Sequence, residues 1–338
     1  MTVRILGIET SCDETAAAVV EDGHTVLSDV VVSQIDIHKR FGGTVPEIAS
    51  RSHLETLLPV IEEALERASL RFADVDAIAV THQPGLIGAL LVGVAAAKTL
   101  ALALDLPLIG IHHIAAHIYA SWMQSPTRPE APFVSLVVSG GHTTLFRMDD
   151  PFTAVEIGST IDDAVGEAFD KVATVLKLGY PGGPIVDTMA KGGDPKRFPF
   201  KSPLLKKDGL DFTLSGIKTA VLYLVNGMNV RKEALPLTEA NVKDVCASFQ
   251  HQVVEALVRG TMNAVATCGA SAVVVGGGCA ANSQLRERFT QECERRGLGL
   301  HLPSRRLSTD NAVMVAGLAF HKFHRQGADD LALDAVAS

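Results

Sequence analysis

The chain has 338 residues, of which 47% are hydrophobic, 20% charged and 5% aromatic, and its formal net charge is −8. That length admits two ordinary domains, and the apolar share excludes a disordered chain. The acidic total excludes a general electrostatic pull toward nucleic acid, and five scattered cysteines without a C-x-x-C read as free thiols in a reducing compartment, not as a disulfide framework.

The elements begin at once. Residues 4–8 form an apolar run, 9–15 a polar turn and 16–21 a second run, and Asp22-Gly23 marks a hairpin into 26–32. Pro46 suits a first helical position, and Ile48, Leu54, Leu57, Ile61 and Leu65 give helical spacing with a kink expected near Pro59. A strand at 76–81 leads through Pro84-Gly85 to a small-residue helix ending near 104; a strand at 108–111 and a helix at 112–122 follow. The pattern then restarts: a strand at 133–138, the turn Ser139-Gly140-Gly141-His142, a returning strand at 143–148 and a helix over 162–177. Late in the chain come a strand at 271–275, three glycines, a helix over 282–296, and a last helix over 309–324 opened by Ser308-Thr309-Asp310 as capping residues.

Each half therefore repeats a strand–turn–strand hairpin, helices and a late strand ending in glycine or proline. This is α/β architecture, with two similar lobes expected to leave a cleft between them. The lobes are placed at 1–128 and 129–338, the second with a helical insertion at about 190–240. Nothing at the start reads as a signal peptide, and the weakly polar stretch 81–104, broken by His82, Pro84 and Lys98, reads as buried strand and helix instead of a membrane span. Two segments run against the net charge: 191–218 holds seven Lys/Arg and three Asp, and 286–306 holds six Arg and three Glu. Either is a solvated face or a phosphate-binding patch.

Four constellations carry candidate chemistry. His113 and His117, four apart on a helix, stack about 6 Å apart along its axis and either suit one divalent metal or are a pair of satisfied or exposed histidines; His112 points about 100° away. The zinc-protease glutamate of H-E-x-x-H is missing. Asp310 is either a helix cap or a third ligand, and two nitrogens with one carboxylate oxygen suit iron, zinc or manganese. Val137, Val138, Ser139, Gly140 and Gly141 offer backbone donors that reach a phosphate without a Cβ in the way, or else an ordinary hairpin turn. Asp13 and Glu14 occupy the matching turn of the first half. Gly276-Gly277-Gly278, running to Asn282, forms a platform for a base or ribose at a helix N-terminus. Asp170, Gly183 and Asp187 lie on a further stretch that could receive ribose hydroxyls.

On these residues the chain resembles the TsaD family, relatives of the KEOPS catalytic subunit once described as sialoglycoprotein endopeptidases. The likeness runs through Gly7-Ile8-Glu9-Thr10-Ser11-Cys12-Asp13-Glu14-Thr15 and the segments 43–50, 98–117, 138–143, 162–171, 180–184, 211–218 and 309–311. It departs at Gln83, where the family has a glycine, and at Cys279-Ala280-Ala281-Asn282, where the asparagine stands. The resemblance implies an actin-like fold of duplicated ribonuclease-H-like lobes with a nucleotide cleft between them. It implies transfer of threonylcarbamoyl from threonylcarbamoyl-AMP, made by TsaC-type enzymes, to N6 of the adenosine 3′ of the anticodon, in tRNAs reading codons that begin with adenine, with release of AMP. It places His113, His117 and Asp310 on one divalent metal per subunit, iron before zinc or manganese. The residues Val137–Gly141, Asp170, Gly183, Asp187 and Asn282 fall on its substrate positions. It further implies a complex with a TsaB-type paralogue and a TsaE-type ATPase, and a cytoplasmic protein with no membrane partner. Asp13 or Glu14 is the candidate acceptor of the amine proton. An actin-fold phosphotransferase, a metalloprotease and a non-catalytic nucleotide-binding scaffold are the competing readings.

Overall fold

The computed structural model describes residues 2–227 and 233–337. They divide into two compact units, Met1–Pro126 with Arg306–Ser338, and Thr127–Arg305. In the first unit β1 (Arg4–Glu9), β2 (Glu14–Glu21), β3 (Thr25–Ser33), β4 (Ala77–Gln83) and β5 (Leu108–His112) form a sheet of order β3-β2-β1-β4-β5. The hairpin pairs are antiparallel and the β1–β4 and β4–β5 pairs parallel. The central strands are buried on both faces, which is why they read as unbroken apolar runs instead of alternating ones. After the short α1 (Ile35–His38), α2 (Pro46–Arg67) runs through Pro59 and packs with α3 (Ile87–Leu104) on one face, against Leu6, Ile8, Ala17 and Val19. Although α3 is long and apolar enough to cross a membrane, it packs here on β4 and α2. The short helix α4 (His113–Ala120) follows β5 without a break.

The second unit repeats the topology. Its strands β6 (Phe133–Val138), β7 (Thr143–Asp150), β8 (Thr153–Ser159), β9 (Ala272–Gly276) and β10 (Gly299–His301) take the order β10-β9-β6-β7-β8, with the same alternation of antiparallel hairpins and parallel crossovers. Between β8 and β9 lie α5 (Val165–Val175), α6 (Gly182–Ala190), α7 (Ser215–Asn226) and the long α8 (Glu239–Cys268); α9 (Ser283–Arg296) precedes β10. Of the expected insertion at 190–240, α7 is helical, residues 191–214 are mostly irregular, and 228–232 lie outside the described residues.

The start of α7 carries no side-chain cap of its own. Asp162 supplies one from a distance: its carboxylate accepts from the amides of Leu214 (2.7 Å) and Ser215 (3.2 Å) and from the hydroxyls of Thr213 (2.6 Å) and Ser215 (2.7 Å). Burial works against the charged form, but these four donors hold the carboxyl down at about 2. Asp162→Ala is expected to cost about 1–2 kcal/mol, seen as a lower urea midpoint at pH 7. Because the folded value lies below the ordinary 3.8, that contribution is present above about pH 4 and fades as pH falls toward 2. An unchanged midpoint at pH 7 would contradict the capping role.

The chain then passes through α10 (Arg305–Ser308) into α11 (Ala312–Gln326). The second lobe expected at 129–338 is therefore corrected at its end: residues 306–338 belong to the first unit, because α11 covers the other face of its sheet. Gly7 permits this, since a Cβ there would lie 2.5 Å from the Ala312 carbonyl oxygen and 2.8 Å from the Ala316 nitrogen. Asn311, not Asp310, caps α11, its Oδ1 accepting from the Met314 amide at 3.0 Å.

Candidate functional site

In the first unit three ligand-type side chains converge. His113 opens α4 immediately after β5, His117 lies one turn on, and Asp310 precedes the α11 cap. The Asp310 Oδ1 lies 3.1 Å from His117 Nε2 and 3.5 Å from His113 Nε2, and the three donor atoms all lie within 4.8 Å of one another. A four-coordinate ion with ligands at about 2.1 Å would hold neighbouring ligand atoms about 3.4 Å apart. The two spacings from Asp310 match that geometry, and the imidazole pair lies within 4.8 Å. His112, the last residue of β5 with extended backbone, is exposed and is not one of the three.

Glu9, fully buried at the end of β1, orients the first histidine. It lies 3.0 Å from His113 Nδ1 and accepts from the Ser11 amide and the Thr81 hydroxyl, both at 2.6 Å. Holding Nδ1 in this way turns Nε2 toward Asp310. Burial alone would suppress the His113 cation, but the charges of Glu9 and Asp310 raise it to about 9. His117 is pushed the other way, by burial and by the neighbouring His113. Its Nδ1 is buried with no hydrogen-bond partner, so its exposed chemistry is confined to Nε2.

Asp13 and Glu14 stand at the start of β2, close enough to Asp310 for its charge to act on Glu14. Burial, Asp310 and Asp13 together push the Glu14 carboxyl well up, and it hydrogen-bonds Asp13 and accepts from Ser33 at 3.2 Å. Below this turn lies a buried polar network. His53 Nε2 donates to the Cys12 carbonyl at 3.0 Å, its Nδ1 meets Thr15 at 2.8 Å, and Gln34 donates from its backbone to the Asp13 carbonyl. Burial keeps His53 neutral, which suits that single-donor arrangement.

In the second unit the hairpin 138–143 closes through Ser139 N–H to the His142 carbonyl (2.8 Å). Val137 and Val138 put fully buried side chains into the core, so only their backbones are available to a ligand. Among the described residues, the amides of Gly140 and Gly141 donate to no partner, and both glycines face open space. Asp170 on α5 accepts from Gly182 N–H at 2.6 Å at the start of α6, beside the open Gly183. Its charge also reaches Cys279, which burial and Asp170 together push up to about 12. Gly277 is left-handed at φ +87°, and a Cβ there would meet the Val138 carbonyl oxygen at 2.4 Å. The β9 turn and the 138–141 turn thus lie side by side.

Asp187 and Asn282 are brought together, but through a residue that sequence reasoning missed. Gln250, buried on α8, donates to Asp187 at 3.1 Å and accepts from Asn282 at 2.9 Å. Asp187 also accepts from Ser283 N–H and Oγ, and Asn282 Oδ1 caps α9 through Leu285 N–H. Three donors thus hold Asp187 at this junction and leave acceptor capacity on Oδ2. His53 and Gln250 carry no legible signal, lying among other polar residues, and Glu9 reads only as part of a polar turn and of the family motif, without a role of its own.

A family model described as TsaD: tRNA N6-adenosine threonylcarbamoyltransferase matches residues 25–317. A relative of that name from Moorella thermoacetica is 51% identical over 333 residues, covering 98% of this chain and 95% of its own. Another from Syntrophobacter fumaroxidans is 50% identical over 335 residues, covering 98% of each. Among solved structures, (R)-2-hydroxyglutaryl-CoA dehydratase component A from Acidaminococcus fermentans superposes with a TM-score of 0.55 at 13% identity, over 96% of this chain and 100% of that one. That likeness carries the fold alone, and the fold is the actin-like one expected. With a family model over most of its length and half its residues shared with enzymes of one name, the chain belongs to the TsaD family of tRNA N6-adenosine threonylcarbamoyltransferases.

Proposed function

We propose that the chain moves threonylcarbamoyl from threonylcarbamoyl-AMP to N6 of the adenosine 3′ of the anticodon, in tRNAs reading codons that begin with adenine, and that His113, His117 and Asp310 hold one divalent ion, iron before zinc or manganese. The observation that carries this reading is the convergence of two imidazoles and one carboxylate oxygen within 4.8 Å of one another. A divalent ion held there would act as a Lewis acid toward an oxygen of the acyl adenylate. Within the second unit, the free amides of Gly140 and Gly141 suit phosphate or carbamoyl oxygens, and Asp170 with the open Gly183 suits a nucleoside.

In the transfer the N6–C bond forms, the bond from the carbamoyl carbon to the AMP oxygen breaks, and one amine proton leaves. Burial and the charges of Asp310 and Asp13 push the Glu14 carboxyl up, and Asp13 or Glu14 is the acceptor of that proton in this reading. A TsaB-type partner and a TsaE-type ATPase complete the proposal, with the protein acting in the cytoplasm. Exposed Leu54 and Leu58 on α2, and Ile87 and Leu91 on the adjoining α3, support a partner on that face. Nucleoside analysis of tRNA from cells depleted of this protein should show threonylcarbamoyladenosine disappearing while unmodified adenosine accumulates. Unchanged nucleoside content would overturn the proposal.

A further inference from the structure

The two basic segments that look alike in sequence differ in the structure. In the later one five of the six arginines are engaged within the protein, while Arg305 is exposed and, among the described residues, forms no ion pair. Arg288 is paired with Glu255, Arg295 and Arg296 share Glu292, Arg306 is bound to Asp29, and Arg286 donates to the carbonyls of Ala280 and Pro303. In the earlier one the reverse holds. Among the described residues, Lys191, Lys196, Arg197, Lys201, Lys206 and Lys207 form no ion pair, and all six are exposed. The acids within the segment do not reach them: Asp194 accepts from the Lys196 backbone amide, Asp211 from the Ser159 amide, and Asp208 is exposed.

The segment is irregular but anchored. Asp194 N–H donates to Asp244, and Ser248 Oγ donates to the Asp194 carbonyl and accepts from Phe198 N–H. Further along, Asn263 donates to the Lys207 and Gly209 carbonyls. Phe198, Phe200 and Leu204 pack into the core, so the backbone is pinned while the cations between them face water. Asp244 and Asn263 lie on α8, and at its rise per residue these two anchors are about 28 Å apart. The track begins at Lys191, the C-terminal cap of α6, the helix that opens at Gly182 and Gly183.

We infer that residues 191–207 form the surface of this unit that grips the tRNA sugar–phosphate backbone. Six unpaired cations strung along a fixed rim suit a polyanion with evenly spaced charges, and an acidic chain has few other places to hold one. The inference deepens the proposed function and rests on tRNA being the substrate, but not on the acyl chemistry. Phosphate contacts of this kind position the RNA and carry no sequence preference.

The test is a salt titration of unmodified tRNA binding to the full chain, read by fluorescence anisotropy. For Lys196→Ala/Arg197→Ala/Lys201→Ala, affinity at low salt should fall about tenfold or more, and the slope of log affinity against log salt should flatten by about 2 to 3. The charge-preserving Lys196→Arg/Arg197→Lys/Lys201→Arg should bind as the parent does. So should Arg288→Ala on α9, whose single guanidinium is held by both oxygens of the Glu255 carboxylate. Unchanged affinity and slope in the triple alanine variant would overturn the inference, as would an equal loss in the α9 control or no measurable binding by the parent. Failure of threonylcarbamoyl transfer with tRNA binding intact would instead count against the proposed reaction.

Discussion

His117→Ala is expected to abolish both metal retention and threonylcarbamoyl transfer, lowering the latter by more than about 100-fold. Three donor atoms are the least that hold a divalent ion firmly while leaving a position open, and this change leaves two. Neither neighbour can replace the lost nitrogen: His113 already points its own Nε2 at the site, and Glu9 is engaged by Ser11, Thr81 and His113. The side chain's other nitrogen has no partner, so its removal breaks no hydrogen bond elsewhere in the fold. Metal content by mass spectrometry, transfer by nucleoside analysis and a thermal melt separate the two effects. Full transfer by a variant free of bound metal would end the metal reading.

Glu9→Gln is expected to weaken metal binding by about 10- to 100-fold, with transfer recovering when excess metal is added. The substitution keeps size and shape but fails whichever way the amide is turned. With its oxygen toward the Ser11 amide, its NH2 faces His113 Nδ1 at the 3.0 Å position now held by a carboxylate oxygen. The imidazole then has to accept at Nδ1, which moves its proton to Nε2 and removes the lone pair aimed at the site. With the amide reversed, NH2 meets the Ser11 N–H, and a buried donor loses its partner. Unchanged metal affinity would mean that Glu9 does not set the tautomer of His113. Failure of excess metal to restore transfer would mean that Glu9 acts in some other way.

Much of the fold was open to reading because its central strands and their turns follow simple rules. The Arg4–Glu9 and Phe133–Val138 strands are apolar runs closed by polar or glycine turns, and each sits at the centre of its sheet. The 30-residue α8 gave no such pattern. It is buried on most of its circumference, and Ser248, Gln250 and Thr261 lie among its buried residues, so no apolar stripe stands out. The strand β8 was lost for the opposite reason, since Thr153–Glu156 are exposed and carry no inward alternation. At the site, spacing revealed the two histidines because helical geometry links positions four apart. Asp310 reaches His117 from 193 residues away; the residues alone leave it as helix cap or third ligand, and the resemblance points to the ligand. Its expected capping role passed to Asn311, leaving the carboxylate to face the imidazoles.

The return of the last segment to the first unit decides how this protein can be cut. A fragment ending at Pro126 would keep both imidazoles but lose their carboxylate, and Gly7 would face water in place of the Ala312–Gln326 helix. The middle portion, in contrast, enters and leaves as one uninterrupted stretch, Thr127–Arg305. Dissecting the enzyme by expression therefore calls for splicing a short linker across the excised middle, not for simple truncation from the C-terminus.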